Sequence, residues 1–573
     1  MKKMMRKILI TTLCTTMITI GLFAQVMPKK NYPKGYFSWP VVAAKGLAAN
    51  FGELRPNHYH MGLDCRTDQR ENRPVLAAAD GYIAKVKIEP YGFGRCIYIN
   101  HPNGLTTLYA HLNNFYPALE KYITDQQYKL ESWRVFLDIP ANLFPVKKGQ
   151  QIAFSGNTGG SQGPHTHFEI RDTKTDKVLN PLLFGFPITD NIAPDVLRLA
   201  VYDRCVSTYE QAPKIFPLKK VNGAYTTIPA VISMNTDKVS FAITAYDRYT
   251  GSTNKNGIYE SVLYDNEAPV VGFQLDSISY DETRYLNAHI DYRLRSNGGS
   301  YMQHLSRLPG YPEGIYKDFS GNGVIDITDE TVHEMKIAVA DAAGNTSLVK
   351  FGVKMGTKSH TPDIDKDAIN QSKEFFPGFV NVFENSNLRF YLAENQIYDS
   401  FRFRFKETKP GIGYPIYQLE DGSVPVHTYF PVSINNSAAI NPDKMVMHRW
   451  WKEKDDYAKA VNEYPWFTSS FKAFGNFQLM EDTLPPVITP IGFREGMSLA
   501  KLNRLAFVIK DNTEELENFR AELDGKWLRF SNDKGRTFIY KFDEHLDRGK
   551  HELTISVADC VGNVTKKTYH FTY

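Results

Sequence analysis

Beyond residue 190 the chain of 573 residues reads as short runs with the two-residue apolar/polar period of strands, broken by Asp, Asn and Gly. Helical periodicity is expected only around Trp450 to Val461. One segment recurs: Ile337-Ala-Val-Ala-Asp341-Ala-Ala-Gly344-Asn345 returns as Ile555-Ser-Val-Ala-Asp559-Cys-Val-Gly562-Asn563, with a looser version at Ile243-Thr-Ala-Tyr-Asp247. Physically this is a strand running into a turn, where Asp accepts backbone amides and Gly or Asn tolerates positive φ. Such text builds β-sandwich hairpins. The chain length implies several domains. With 33 Tyr and 36 Phe against 5 Cys, aromatic packing must supply most of the stability. Sequence leaves the pairing of Cys65, Cys96, Cys205 and Cys560 open.

The strand-then-Asp-x-x-Gly-Asn segments resemble bacterial immunoglobulin-like domains. The expected organisation is mainly β: a signal peptide over 1–24, a histidine-rich domain over 25–189 with an insertion at 113–145, one or more β-sandwich domains over 190–356, a β-rich domain over 357–481, and an immunoglobulin-like domain over 482–573. Asp318, Ser320, Asn322, Gly323, Asp326 and Asp329 match the ligand positions of an EF-hand-type calcium loop. The following Met335 to Ala340 reads as a strand and no amphipathic helix precedes Asp318. A solvated turn is therefore the favoured reading, with Ca2+ on Asp318, Asn322, Asp326 and Asp329 as the alternative.

Lys2, Lys3, Arg6 and Lys7 precede an apolar run that ends at Gly21-Leu22-Phe23-Ala24, the order of a secretory signal peptide. Those four residues account for the whole formal charge of +4, so no basic surface is expected for nucleic acid. The run from Ile8 to Ala24 is too short and too rich in Thr for a membrane span, and Leu13 before Cys14 disfavours lipid attachment. An exported chain without a transmembrane helix in its mature form is expected, with the periplasm as the compartment that fits.

Six of the 15 His lie between His58 and His167. In His60-x-Gly62-x-Asp64 an extended strand would point all three residues to one face, with the glycine leaving room for an ion. In His165-x-His167-x-Glu169 the two histidines again share a face. Two histidines and a carboxylate make a three-ligand zinc site with an open fourth position. Between these segments, Asn103-Gly104 joins two alternating strands as a hairpin. It places Thr107, Tyr109 and His111 on one expected face.

These motifs, His60-x-x-x-Asp64, Tyr109-Ala110-His111-Leu112 and His165-x-His167, with Asp80-Gly81 and Ser155-Gly-Asn-Thr-Gly159 between them, resemble the lysostaphin-type zinc metallopeptidases that cut peptidoglycan cross-bridges. The likeness covers about residues 36 to 186. It implies an antiparallel β-sheet peptidase domain in which His60, Asp64 and His167 bind one Zn2+ while His111 and His165 act as catalytic groups. Tyr109 becomes a candidate for substrate or oxyanion contact, Glu169 for a hydrogen bond behind a ligand, and His58 and His101 fall outside the set.

The expected function is therefore an exported zinc endopeptidase that hydrolyses peptide cross-links of peptidoglycan. Two alternatives stand beside it: a non-catalytic activator of cell-wall amidases, and a zinc peptidase acting on secreted proteins. Peptidoglycan is the expected partner, with an envelope protein bound by the C-terminal domains as a second. The insertion carries Leu119, Tyr122, Ile123, Leu130, Trp133 and Phe136 and is expected to pack as a wall or lid along the cleft, with a helix between Ala118 and Trp133. Residues beyond 190 are expected to contribute no catalytic group, so that a fragment ending near Phe186 would suffice for cleavage.

Overall fold

The computed structural model describes residues 26–357 and 373–573, apart from 412, 438 and 536. The expected signal peptide lies outside the described residues. The chain is mainly β, as its periodicity requires, and no helix among the described residues is long and apolar enough to cross a membrane.

The first large sheet orders its strands Leu47–Ala49, Leu63–Arg66, His165–Asp172, Leu105–Ala110, Arg95–Asn100, Gly81–Ile88 and Val135–Asp138, with antiparallel pairing throughout. The Asn103-Gly104 hairpin forms as its turn chemistry demands, with Gly104 at φ +79. One face of the sheet buries Leu63, Ile97, Ile99, Tyr109, Phe168 and Ile170 in a single core. Alternation then leaves the other face of His165–Asp172 to polar groups.

Next come two packed sheets, one centred on Asp195–Asp203 and Lys238–Tyr246, the other on Glu260–Asp265, His333–Ala340 and Thr346–Met355. Residues 375–481 form two five-stranded sheets around a core of Phe375, Phe390, Phe403, Phe430 and Phe474. The expected helix at Trp450 to Val461 is instead a hairpin, Met445–Trp451 paired with Lys454–Lys459. Its Trp-Trp-Lys-Glu-Lys-Asp-Asp-Tyr text turns at Lys452, φ +55, and the His448 ring stacks on Trp450 along its own strand and on Tyr457 across the pair. Residues 487–572 make a three-stranded and a four-stranded sheet around Phe507, Phe530, Phe538 and Ile555.

The expected boundary at 189 is no gap in packing. Phe51, Tyr59, Met61 and Val178 are buried in the core built by residues 196–398, and Val178–Leu179 pairs with Ser277–Ile278. In the calcium-like loop Asp318 pairs with Arg307, Asp326 accepts from Thr328, and Asp329 accepts from Thr331 and His333. These carboxylates point to separate partners and form no three-ligand group among the described residues.

Candidate metal centre

Strand register builds most of the centre. Asp64 on Leu63–Arg66 lies directly across from His167 on His165–Asp172, and Ala110 flanks His167 on the other side. His60, however, is not on the strand. The chain is irregular from His60 to Gly62, and His60 reaches the centre from this bend, where its N–H bonds the Glu53 carbonyl at 2.8 Å. Gly62 is needed for a reason different from room for an ion. A Cβ there would lie 2.5 Å from the Phe168 carbonyl oxygen and 2.9 Å from the His167 ring. Gly62→Ala is expected to push the His167 ring aside and weaken metal binding by about 10- to 100-fold, the range for disturbing a ligand's support. Metal titration of the folded variant measures it, and unchanged affinity would refute the packing argument.

One ligand atom each from His60, Asp64 and His167 gathers within 4.8 Å. His60 Nε2 stands 2.9 Å from Asp64 Oδ1 and 3.0 Å from His167 Nδ1, and His167 Nδ1 is 2.9 Å from the same carboxylate oxygen. The outer nitrogens fix the tautomers. His60 Nδ1–H donates to the Asn50 carbonyl at 2.7 Å, and His167 Nε2–H donates to Glu169 Oε1 at 2.9 Å. Both lone pairs that remain point inward, as metal binding requires. Glu169, fully buried, is itself held by Arg171 at 2.7 Å and by the Tyr280 hydroxyl at 2.5 Å. Against its burial, Arg171 and His167 hold its carboxyl down to about 2. Burial opposes ionisation of Asp64 too, yet the rings of His60, His165 and His167 keep it well below the usual carboxylate range. Arg55 Nη2 donates to Asp64 Oδ2 at 2.9 Å, leaving Oδ1 for the centre.

Sequence reasoning passed over Arg55, Asn50, Arg171 and Tyr280. Arg55 lies beside the first motif, and Arg171 follows the same two-residue period as His165, His167 and Glu169. Tyr280 had no signal, because it comes from a distant segment.

His165 and His111 stand beside the centre. His165 Nε2 is 3.3 Å from Asp64 Oδ1, while its Nδ1–H donates to the Gly163 carbonyl at 2.8 Å. His111 Nδ1–H donates to the Thr158 carbonyl at 2.8 Å, and the rings of His111 and His165 lie 4.8 Å apart. Burial first, and the neighbouring His165 and His167 next, push His111 down to about 3, so it is neutral with Nε2 free to accept. Tyr109 requires a correction. Its ring is fully buried against Phe168 and its hydroxyl accepts the Ala78 N–H at 2.7 Å, so it cannot meet a substrate. The alternation breaks because the strand ends at Ala110 and His111 takes φ +59, which turns it to the opposite side. His58 is exposed, and His101 bonds the Asp80 carbonyl and Thr107 away from the centre.

The insertion, expected as a wall or lid, is packed on both of its sides. Its helix, Pro117–Leu130, buries Leu119 and Ile123 in the peptidase core. Its outer side carries the C-terminal sandwich. Tyr128 stacks on His545 at 3.8 Å and meets Trp527 edge-on, and Glu131 pairs with Arg520. The sandwich extends a loop to the His165 side of the centre, where Asp533 accepts the Gly159 N–H at 2.8 Å and Lys534 Nζ donates to the Ser161 carbonyl at 2.9 Å. Ser161 Oγ in turn sits 3.3 Å from His165 Nδ1.

A buried pair of histidines and an aspartate, with two neutral-capable histidines beside them on one sheet face, is the donor set of a metal-dependent hydrolase. Comparison with known proteins agrees: residues 58–127 match peptidase family M23, so the chain carries a lysostaphin-type M23 peptidase domain. Residues 375–482 match the Zu5-like domain. An uncharacterized metalloprotease of Haemophilus influenzae is 30% identical over 167 residues, 28% of this chain and 29% of that protein. The DD-carboxypeptidase/endopeptidase Mpg of Neisseria meningitidis serogroup B is 34% identical over 172 residues, 29% of this chain and 33% of its own length. The cell division protein DipM of Caulobacter vibrioides is 31% identical over 144 residues, 25% of this chain and 19% of that protein. The chain thus spans a third or less of these relatives.

Proposed function

We propose that this protein is an exported zinc endopeptidase that hydrolyses peptide cross-links of peptidoglycan. The observation that carries the reading is the convergence of His60 Nε2, Asp64 Oδ1 and His167 Nδ1, with His111 and His165 alongside. The donor set suits Zn2+, since two imidazoles and one carboxylate oxygen are borderline ligands and both rings hold the tautomer that binding needs. His60, Asp64 and His167 would hold the ion, which when bound supplies a Lewis acid for the scissile carbonyl and lowers the pKa of water.

The chain's own groups then divide the remaining work. His165 and His111 each keep Nδ1–H on a backbone carbonyl, so each presents Nε2 as the atom that takes or returns a proton. A neutral His111 can accept the proton of the attacking water and return it to the departing amine, while His165 Nε2 faces the same side to take and pass on the water's second proton as the tetrahedral adduct collapses. Glu169, locked by Arg171 and Tyr280, keeps the His167 ring from turning as charge moves. Asp533 and Lys534 border this side and would contact a bound strand.

A relative named peptidoglycan DD-endopeptidase, ShyB of Vibrio cholerae, 28% identical over 155 residues, supports the cell wall as substrate, and export fits that substrate and the expected signal peptide. A relative named for cell division keeps the regulatory reading in play. Incubating the full chain with purified sacculi separates them. Release of cross-link fragments, stopped by a zinc chelator and restored by Zn2+, is the expected result. Saturable sacculus binding without release would replace the enzyme reading with the regulator, and cleavage of secreted proteins but not sacculi would support a general peptidase.

A further inference from the structure

Two clusters outside the peptidase centre are built to one plan. Asp190, Asp247 and Asp341 bring one carboxylate oxygen each within 4.8 Å of the others, and Asp482, Asp511 and Asp559 do the same. Asp190 and Asp482 each stand four residues before a proline, Pro194 and Pro486, at the head of a sandwich. Each uses Oδ1 to accept an amide two residues on, from Ile192 or Leu484, and its own carbonyl accepts from Asn345 or Asn563. Asp341 and Asp559 begin the recurring Asp-x-x-Gly-Asn turns and accept two backbone amides each. Asp247 and Asp511 follow the strands Lys238–Tyr246 and Arg504–Lys510.

What these bonds leave over is the informative part. Asp247, only 1% exposed, has Oδ1 without a hydrogen-bond partner, as does Oδ2 of Asp190. In the other cluster Asp482, 2% exposed, has Oδ2 without a partner, as does Oδ1 of Asp511. None of the six carboxylates stands in an ion pair among the described residues. Buried carboxylates packed this closely must share protons or hold a cation, because leaving them ionised and unpaired is too costly. A proton shared between the two free oxygens of a cluster would pair them, yet three carboxylates holding one proton still carry two negative charges with no cation beside them, which a divalent ion would neutralise. An all-oxygen donor set, two of whose members each keep an oxygen without a partner, is that of a hard divalent ion large enough for irregular coordination.

We propose that each cluster binds one Ca2+, so that the chain carries two calcium sites, one at the head of each sandwich. Each ion joins the incoming segment, through Asp190 or Asp482, to two strand ends of the sandwich it enters. The first site also bears on the peptidase. Tyr249, two residues past Asp247, is buried in the peptidase core, and Asn50 bonds both Tyr249 and Gly257 while its carbonyl holds His60 Nδ1.

Equilibrium dialysis of the EGTA-treated, Zn2+-loaded full chain against radioactive Ca2+ tests this, with concentrations raised to about 10 mM to cover the affinity range of extracellular modules. The expected result is two saturable Ca2+ per chain, one in either Asp247→Asn or Asp511→Asn, and none in the double variant. The melting temperature should rise with Ca2+ in the wild type but not in the double variant at matched ionic strength. Asn keeps the shape of Asp, and the wild-type stoichiometry stands as a test even where a variant fails to fold. A wild-type value below two, or two Ca2+ retained by either folded variant, overturns the proposal.

Discussion

His60→Ala and Asp64→Ala are expected to lose both metal and hydrolysis, whereas His165→Ala should keep the metal and lose about 10²-fold or more in kcat, the usual loss for an absent acid/base group. The contrast follows from the tautomers. His60 and His167 turn lone pairs towards Asp64 Oδ1 at 2.9 Å, and each is fixed from behind by a carbonyl or carboxylate. His165, tied by the Gly163 carbonyl, stands at 3.3 Å from the carboxylate and outside the trio whose ligand atoms gather within 4.8 Å. His111→Ala belongs with His165→Ala, since its free Nε2 lies on the same side. Metal analysis and kinetics of the purified variants decide the assignment. Zinc lost from His165→Ala but kept by His167→Ala would reverse it.

The second large effect concerns truncation. A fragment ending at Phe186 is expected to be insoluble or unable to hold Zn2+, contrary to the independence that the scattered downstream histidines suggest. Phe51, Tyr59, Met61 and Val178 would lose the core of residues 196–398 in which they are buried. At about 1.5–3 kcal/mol per large apolar side chain, that is roughly 6–12 kcal/mol as an upper bound. It rivals the whole ~5–15 kcal/mol stability of a domain. Tyr59 and Met61 flank the ligand His60, and Glu169 loses Tyr280, so damage reaches the centre directly. Solubility, near-UV circular dichroism and zinc content of the fragment against the full chain measure this. A soluble, cooperatively folded fragment with full zinc content would show that the peptidase core stands alone.

Local chemistry made much of this protein legible from its residues. The hairpin at Asn103-Gly104 and the shared face of His165 and His167 depend on short-range rules, the strand period and turn preferences, that tertiary context did not override; His60 joins Asp64 as its spacing suggests, but from a bend. The same rules misled wherever the backbone departs from regular strand. Positive φ at His111 sent it one way and Tyr109 the other, and the bend at His60 to Gly62 replaced an expected strand. The Trp450 region shows the reverse error: its expected helical period gives way to a turn at Lys452, and His448 stacks on Tyr457 across the resulting hairpin.

Sequence by itself determined the β architecture, the donor types of the centre and their order along the chain, since periodicity and ligand chemistry are properties of neighbouring residues. Tertiary structure alone decided what surrounds that centre. Tyr280 locks Glu169 from 111 residues away, and the C-terminal loop reaches Gly159 across 374. It also brought Asp190, Asp247 and Asp341 together from three separate segments. Contacts of that separation arise only when sheets pack, because which buried faces meet depends on the shape and volume of whole domains, and no local pattern encodes it.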